Sequence, residues 1–155
     1  MTEQKHAKSD SVGPPPPRWA VKLFSKTQLF LNLISGGRLL NTLSGSEVCF
    51  VSMTGAKSGK RVITPLMYVP YQEGVLLVAS MGGAPRNPVW YYNIAKNPDI
   101  EVRYRGNKMR LHARQASAEE KSSLWPICDS YYADYAEYRQ RTDRDIPIFV
   151  CLPGN

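Results

Sequence analysis

The sequence predicts an α+β domain, mainly antiparallel β, in which a small barrel carries helices packed outside it. Three observations point there. Short segments rich in Val, Leu and Tyr recur between turn residues, namely "VCFVSMT", "RVITPLMYVPY", "VLLVAS" and a final "IPIFVCL". Two more, "IEVRYR" and "KMRLHARQA", alternate apolar and charged residues across a Gly106-Asn107 turn, the pattern of a half-buried hairpin. Helical signals are few, so most strand connections are hairpins rather than crossovers.

Residues 1–17 are polar and end in "GPPPP", which builds neither helix nor sheet ladder. They read as a disordered tail with polyproline II near its end. A single domain follows over residues 18–155. It begins with an amphipathic helix at 18–34, with Trp19, Leu23, Phe30 and Ile34 on one side and Arg18, Lys22 and Lys26 on the other. "SGG" stops that helix. After the first three strands, "NPVWYYNIAKNP" reads as a short helix with Asn87 as N-cap and Pro88 at its first position. Ser117 and Glu120 form a capping box, so a helix starts at Ala118; Pro126 is expected to kink or break it early.

With 43% apolar and 21% charged residues among 155, the chain is an ordinary globular protein of one domain. Its net charge of +7 favours anionic partners. Cys49, Cys128 and Cys151 are odd in number and widely spaced, which suggests neither a disulfide framework nor a zinc site. A cytoplasmic location is expected, with no secretory leader. The densest apolar patch, "LFLNLI", is too short to span a bilayer, so a membrane role is limited to peripheral contact of the 18–34 helix with anionic lipid.

The chemistry-bearing residues are sparse. His6 and His112 stand alone, and a lone strand histidine reads as a surface residue before a catalyst. No His, Cys or carboxylate group has metal-ligand spacing, so no metal is expected. Neither G-x-S-x-G nor a Cys–His arrangement occurs. An enzyme built from this chain therefore takes its reactive group from a cofactor.

Three features could hold one. In "MTGAKSGKRVITPL" the cations Lys57, Lys60 and Arg61 fall within five residues on a glycine-hinged turn. The spacing does not make a P-loop, because Gly55 and Gly59 are one residue too close and Arg61 stands where Ser or Thr must be. Backbone amides freed by the glycines, with those cations, could still clamp a phosphate; a solvated hairpin tip is the alternative. "ASMGGAPRNPVWYYN" leaves a buried strand at Ser80, turns on Gly82-Gly83 and enters a helix, a second place for an anion or a flat ring. Tyr132, Tyr135 and Tyr138 recur every three residues, close to one face if they share a helix. They read either as core aromatics or as the wet wall of a pocket for a planar ligand.

From about Trp19 to Pro153 the chain resembles the deazaflavin-dependent nitroreductases. The motifs are "TGAKSGKRVITPL", "VASMGGAPRNPVWYYNIAKNP", "LWPICDSYYADYAEY" and "RTDRDIPIFVC". The resemblance implies a split β-barrel fold. It implies hydride transfer from reduced coenzyme F420, an 8-hydroxy-5-deazaflavin with an anionic oligoglutamate tail, to small planar electron-poor acceptors such as quinones, nitroaromatics and activated alkenes. By that similarity Ala56, Lys57, Ser58 and Arg61 line the tail groove, with Thr64, Pro65 and Met67 beneath the ring. Ala79, Ser80 and Met81 meet the deazaflavin, Val89, Trp90, Tyr91 and Asn93 hold its other side, and the three tyrosines wall the substrate pocket. Ser80 and Tyr135 are the expected catalytic hydroxyls. The sequence departs from the family pattern at Ala56 and Met81, where members often carry cations; Lys60, Arg61 or Arg86 is expected to compensate.

Two alternatives stand beside this reading. One is an FMN- or haem-binding relative of the same barrel. The other is a basic module for anionic membrane or nucleic acid, suggested by the stripe Arg103, Arg105, Lys108, Arg110 and Arg114. Such a stripe usually marks a solvated sheet face, and no recognition motif accompanies it, so nucleic acid is not expected.

Overall fold

The structure, a computed structural model, describes residues 42–43 and 46–154. The expected tail at 1–17 and helix at 18–34 lie outside the described residues. The elements are β1 (Thr42–Leu43), β2 (Ser46–Thr54), β3 (Arg61–Met67), β4 (Val69–Tyr71), β5 (Gly74–Val78), α1 (Val89–Lys96), β6 (Asp99–Tyr104), β7 (Asn107–Gln115), α2 (Ala118–Tyr131), α3 (Asp134–Gln140) and β8 (Ile148–Leu152).

Every strand pairing is antiparallel. The order runs β4–β5–β8–β7–β6–β2–β3, with β1 as a short hairpin partner of β2. The expected single strand "RVITPLMYVPY" is divided at Tyr68. Its N–H bonds to the Glu47 carbonyl at 2.8 Å, after which the chain leaves β2 and pairs with β5. Because β3 leads straight into β4, this bend closes the sheet into a barrel and leaves β3 diverging from β5. Each of β3 and β4 is paired along one side only, so Pro65 and Pro70, which lack an N–H, are tolerated there.

The barrel interior follows the period of two. Cys49, Val51 and Met53 on β2, Val75 and Leu77 on β5, Ile100 and Val102 on β6, Leu111 and Ala113 on β7, and Phe149 and Cys151 on β8 form one buried cluster, closed by Trp90 and Ile94 of α1. The opposite face of β5 and β8 makes a second core. There Leu76, Val78, Ile148 and Val150 pack against Leu124 and Cys128 of α2 and Tyr135 of α3. The three cysteines are buried free thiols, with pKa values raised by desolvation.

The local chemistry departs from expectation at four points. The β6–β7 turn is Arg105-Gly106, one residue earlier than expected. Both residues have positive φ (48° and 83°), as the tight hairpin turn demands, and Tyr104 pairs with Asn107. Arg105 tolerates this by ion pairing with Glu47 and lying over the Tyr104 ring. Helix α1 is capped by extended Pro88, not Asn87, and begins at Val89; the Asn87 side chain is engaged elsewhere. Helix α2 runs through Pro126 to Tyr131. Its capping box is formed as expected (Glu120 N to Ser117 Oγ 3.1 Å, Ser117 N to Glu120 Oε2 2.9 Å), and Arg139 of α3 clamps Asp129 at 2.8 and 2.7 Å. That tertiary packing outweighs the one backbone bond a proline removes. Finally, the tyrosine ladder spans two helices, because Tyr132 is the extended C-cap of α2 while Tyr135 and Tyr138 lie on α3.

Candidate active site

Where β3 parts from β5, a cleft of about 210 Å³ opens outside the barrel. Pro65, Leu66 and Met67 form one wall, Val78, Ser80 and Met81 the floor, Pro88 and Trp90 one end, and Tyr132, Tyr135 and Tyr138 the other wall. These residues come from β3, β5 and the loop after it, α1 and its cap, the C-cap of α2, and α3, and the split in the barrel brings them together. Tyr135 packs edge to face on Tyr132 and Tyr138, which are tilted to each other, with ring centroids 5.0–6.3 Å apart.

The hydroxyls are unequal. Tyr132 and Tyr138 bond to each other at 3.0 Å. Tyr135 is only 3% exposed, and burial pushes its pKa well above the ordinary value, so its phenol stays protonated at neutral pH. Neither Tyr135 Oη nor the hydroxyl of Ser80, itself 8% exposed, has a hydrogen-bond partner among the described residues. Two buried donors without partners among the described residues, beside an open cleft, suit a ligand that supplies acceptors.

The floor is a strained loop. Met81, Gly82 and Gly83 all have positive φ (47°, 65° and 77°), a left-handed turn held by Gly83 N to Ser80 O (3.0 Å) and Ala84 N to Met81 O (3.2 Å). Gly83 is obligatory, since a Cβ there would sit 2.7 Å from the Tyr138 carbonyl.

The basic turn lies beside α1, not in the cleft. Ala56 N–H donates to Asn93 Oδ1 (2.9 Å), and Lys96 Nζ donates to the Ala56 carbonyl (2.8 Å). Asn93 follows Trp90 by three residues, so the turn is about 4.5 Å farther along the helix than the cleft. The expected free amides are largely engaged. Gly55 N bonds Lys60 O, Gly59 N bonds Gly55 O, and Lys60 N bonds Ser58 Oγ. An anion here must rely on side chains. Lys57, Lys60 and Arg86 are exposed and outside every ion pair among the described residues. Arg61 points elsewhere, bonding Ser52 Oγ at 2.9 Å and Glu101 at 3.2 Å.

The other candidates are placed as follows. Thr64 shares the face of β3 on which Val62 and Leu66 pack against the barrel core and does not line the cleft, whereas Pro65 and Met67 alternate to the other face; Leu66 borders both core and cleft. Ala79 is buried in the barrel core, Val89 is 77% exposed, and Tyr91 bonds Gln115 at 3.2 Å. Absent from the expected site was Arg144, whose guanidinium binds the cleft loop. It was visible only as an unassigned residue of "RTDRDIPIFVC".

A larger groove of about 620 Å³ runs along β2, β6 and β7, but it is open, and of its lining charges Arg61 pairs with Glu101 and Asp99 with His112, leaving Arg110 outside the ion pairs of the described residues. Among the described residues it offers no buried unpartnered donor. The smaller cleft is the better site.

Known proteins with the same sequence pattern settle the family. A family model, F420H(2)-dependent quinone reductase, matches residues 26–153. The chain belongs to this family. An F420H(2)-dependent quinone reductase of Mycobacterium tuberculosis is 33% identical over 120 residues, covering 75% of this chain and 80% of the relative. A second protein of that organism bearing the family name is 36% identical over 97 residues, covering 63% and 82%. Among solved structures, an F420-H2 dependent reductase matches with a TM-score of 0.62 and 39% identity, covering 67% of this chain and 92% of that one. The haem storage protein HutZ of Vibrio cholerae, 10% identical, matches with a TM-score of 0.53 over 70% and 82% of the chains and shares the fold alone. The fold is the expected split barrel.

Proposed function

We propose that this family member reduces quinones at the tyrosine-walled cleft, using reduced coenzyme F420 as the electron donor. The observation that carries the reading is the pair of buried hydroxyls, Ser80 Oγ and Tyr135 Oη, without partners among the described residues and beside flat apolar walls. When bound, F420 supplies a hydride equivalent.

The chain's own residues do the rest. Pro65, Met67 and Trp90 offer a flat surface to a ring, and Tyr132 and Tyr138 oppose it, orienting that ring for transfer. Two-electron reduction of a quinone puts negative charge on a carbonyl oxygen. Ser80 Oγ and Tyr135 Oη are neutral donors suited to bond that oxygen as charge develops. The cleft is smaller than the roughly 300–1,000 Å³ of most small-molecule sites, so it suits a ring and not a whole tailed cofactor. An anionic tail would extend along α1 toward Lys57 and Lys60, with Arg86 near the start of that helix. Those cations exceed what one phosphate needs, which favours the deazaflavin over FMN.

The test is titration of the protein with F420 and with FMN at matched salt, followed by turnover of reduced F420 with a soluble quinone. Binding of F420 in preference to FMN, with quinone-dependent oxidation of the reduced form, is expected. Equal or tighter FMN binding would overturn the cofactor assignment.

A further inference from the structure

We infer that Arg144 is the positioning residue of the cleft floor, setting where Ser80 and Met81 stand. Its kinetic consequence rests on the reductase reading above; its structural consequence does not. Arg144 lies just before β8, half-buried. Its Nε donates to Ala84 O (3.1 Å), Nη2 to Ser80 O (3.0 Å) and Ala79 O (3.3 Å), and Nη1 to Ala79 O (3.2 Å) and to Asn87 Oδ1. One planar group thus grips both ends of the loop, Ala79 and Ser80 at the start and Ala84 and Asn87 at the close.

The loop needs such a grip. Three consecutive left-handed residues, one of them Met81, make a turn that does not hold itself, and only two backbone bonds stay within it. Among the described residues Arg144 makes no ion pair, unlike Arg61, Arg105, Arg114, Arg139 and Arg141. Its charge faces carbonyl dipoles alone. Its own place is set from below. The Arg144 N–H bonds Thr142 Oγ1 at 3.1 Å, and buried Lys121 of α2 holds the next two residues through the Asp145 carboxylate and the Ile146 carbonyl (3.3 Å). On its other side the loop is seated on α3, where Gly83 leaves no space for a Cβ. Helix α2 therefore fixes Arg144, Arg144 fixes Ser80, and α3 fixes the facing Tyr135 and Tyr138. Lysine cannot replace this, because an ammonium is a single point and not a fork spanning four acceptors.

The experiment compares wild type with Arg144→Lys and Arg144→Ala by amide hydrogen exchange, thermal unfolding and turnover. Exchange at residues 79–88 is expected to rise about ten-fold or more in both variants, with β2, β6 and β7 unchanged. Turnover at saturating substrates should fall at least about ten-fold, since ~1 Å of misplacement can cost ~10²-fold. Added guanidinium should restore part of the turnover of Arg144→Ala, whereas equal sodium chloride should not. Unchanged exchange in the loop, or exchange rising uniformly with turnover lost only in step with unfolding, overturns the assignment. If Arg144→Ala fails to fold, Arg144→Lys carries the same comparison. Should wild type show no F420-dependent turnover, the reductase reading fails, and hydrogen exchange still decides the loop.

Discussion

Asn93 accepts a hydrogen bond from the Ala56 amide at 2.9 Å, and through it helix α1 joins the basic turn to the cleft. Asn93 is 7% exposed and its amide nitrogen also approaches Met53 Sδ at 3.8 Å, so its side chain is engaged at both ends. Asn93→Ala orphans the partly buried Ala56 N–H, a loss of about 1–3 kcal/mol. The denaturation midpoint should fall without a change in m-value. Cofactor affinity should fall further than stability if the turn carries the tail. An unaltered midpoint would show that the turn holds its place without α1.

Gly74 tests the barrel closure. A Cβ there would lie 1.9 Å from the Cys151 carbonyl oxygen on β8. Gly74→Ala must push β5 from β8, an overpacking cost of about 1–3 kcal/mol or more. Gly59 is the control, for nothing lies within 4 Å of its Cβ position and only its φ of +66° opposes a side chain. Thermal unfolding should rank Gly74→Ala well below Gly59→Ala. The reverse order would contradict the β5–β8 register.

Stability at low pH should depend on Glu120. It accepts from both Arg114 amino groups (2.9 and 2.7 Å) and from the Ser117 amide, and Arg114 first, then Ser117, pull its pKa down from about 4.5 to about 2. The folded value lies below the unfolded one, so the contribution is present in full above about pH 4.5. It is lost as pH falls toward 2. Wild type and Glu120→Gln should therefore differ in melting temperature near neutrality and converge across that window. Parallel curves down to pH 2 would refute the linkage.

What could be read before the structure depended on how local the physics was. The strand pattern, the capping box at Ser117 and the cleft-lining set Pro65, Met67, Ser80, Met81, Trp90 and the three tyrosines come from periodicity, side-chain chemistry or motif resemblance. The bend at Tyr68 was hidden, because β3 and β4 continue one apolar run and only pairing with β5 separates them. Arg61 appeared to belong with Lys57 and Lys60; strand alternation and Glu101, forty residues away, turn it aside. Arg144 carries no local signal, since its acceptors, three backbone carbonyls and the Asn87 side chain, lie more than fifty residues earlier.

Tyr135 offers the sharpest test of the cleft, because it is both a core residue and a lining one. Its ring packs with Leu124 and Cys128 behind the cleft, while its hydroxyl has no partner among the described residues. A buried hydroxyl without a partner destabilises by about 1–3 kcal/mol on mutational scales. Tyr135→Phe should then leave stability unchanged or raise it by about 1 kcal/mol, for the ring still fills the same space. Tyr132→Phe differs, since it breaks the 3.0 Å bond to Tyr138 and should lower stability by about 0.5–1.5 kcal/mol. Turnover should show the opposite ranking. Losing the Tyr135 donor removes stabilisation from the oxygen that becomes charged, so kcat with a quinone should fall more in Tyr135→Phe than in Tyr132→Phe. Thermal unfolding without ligand and quinone turnover, measured on the same pair of variants, make the comparison. A less stable Tyr135→Phe with intact turnover would return this residue to the core and leave Ser80, without it, as the hydroxyl that bonds the charged oxygen.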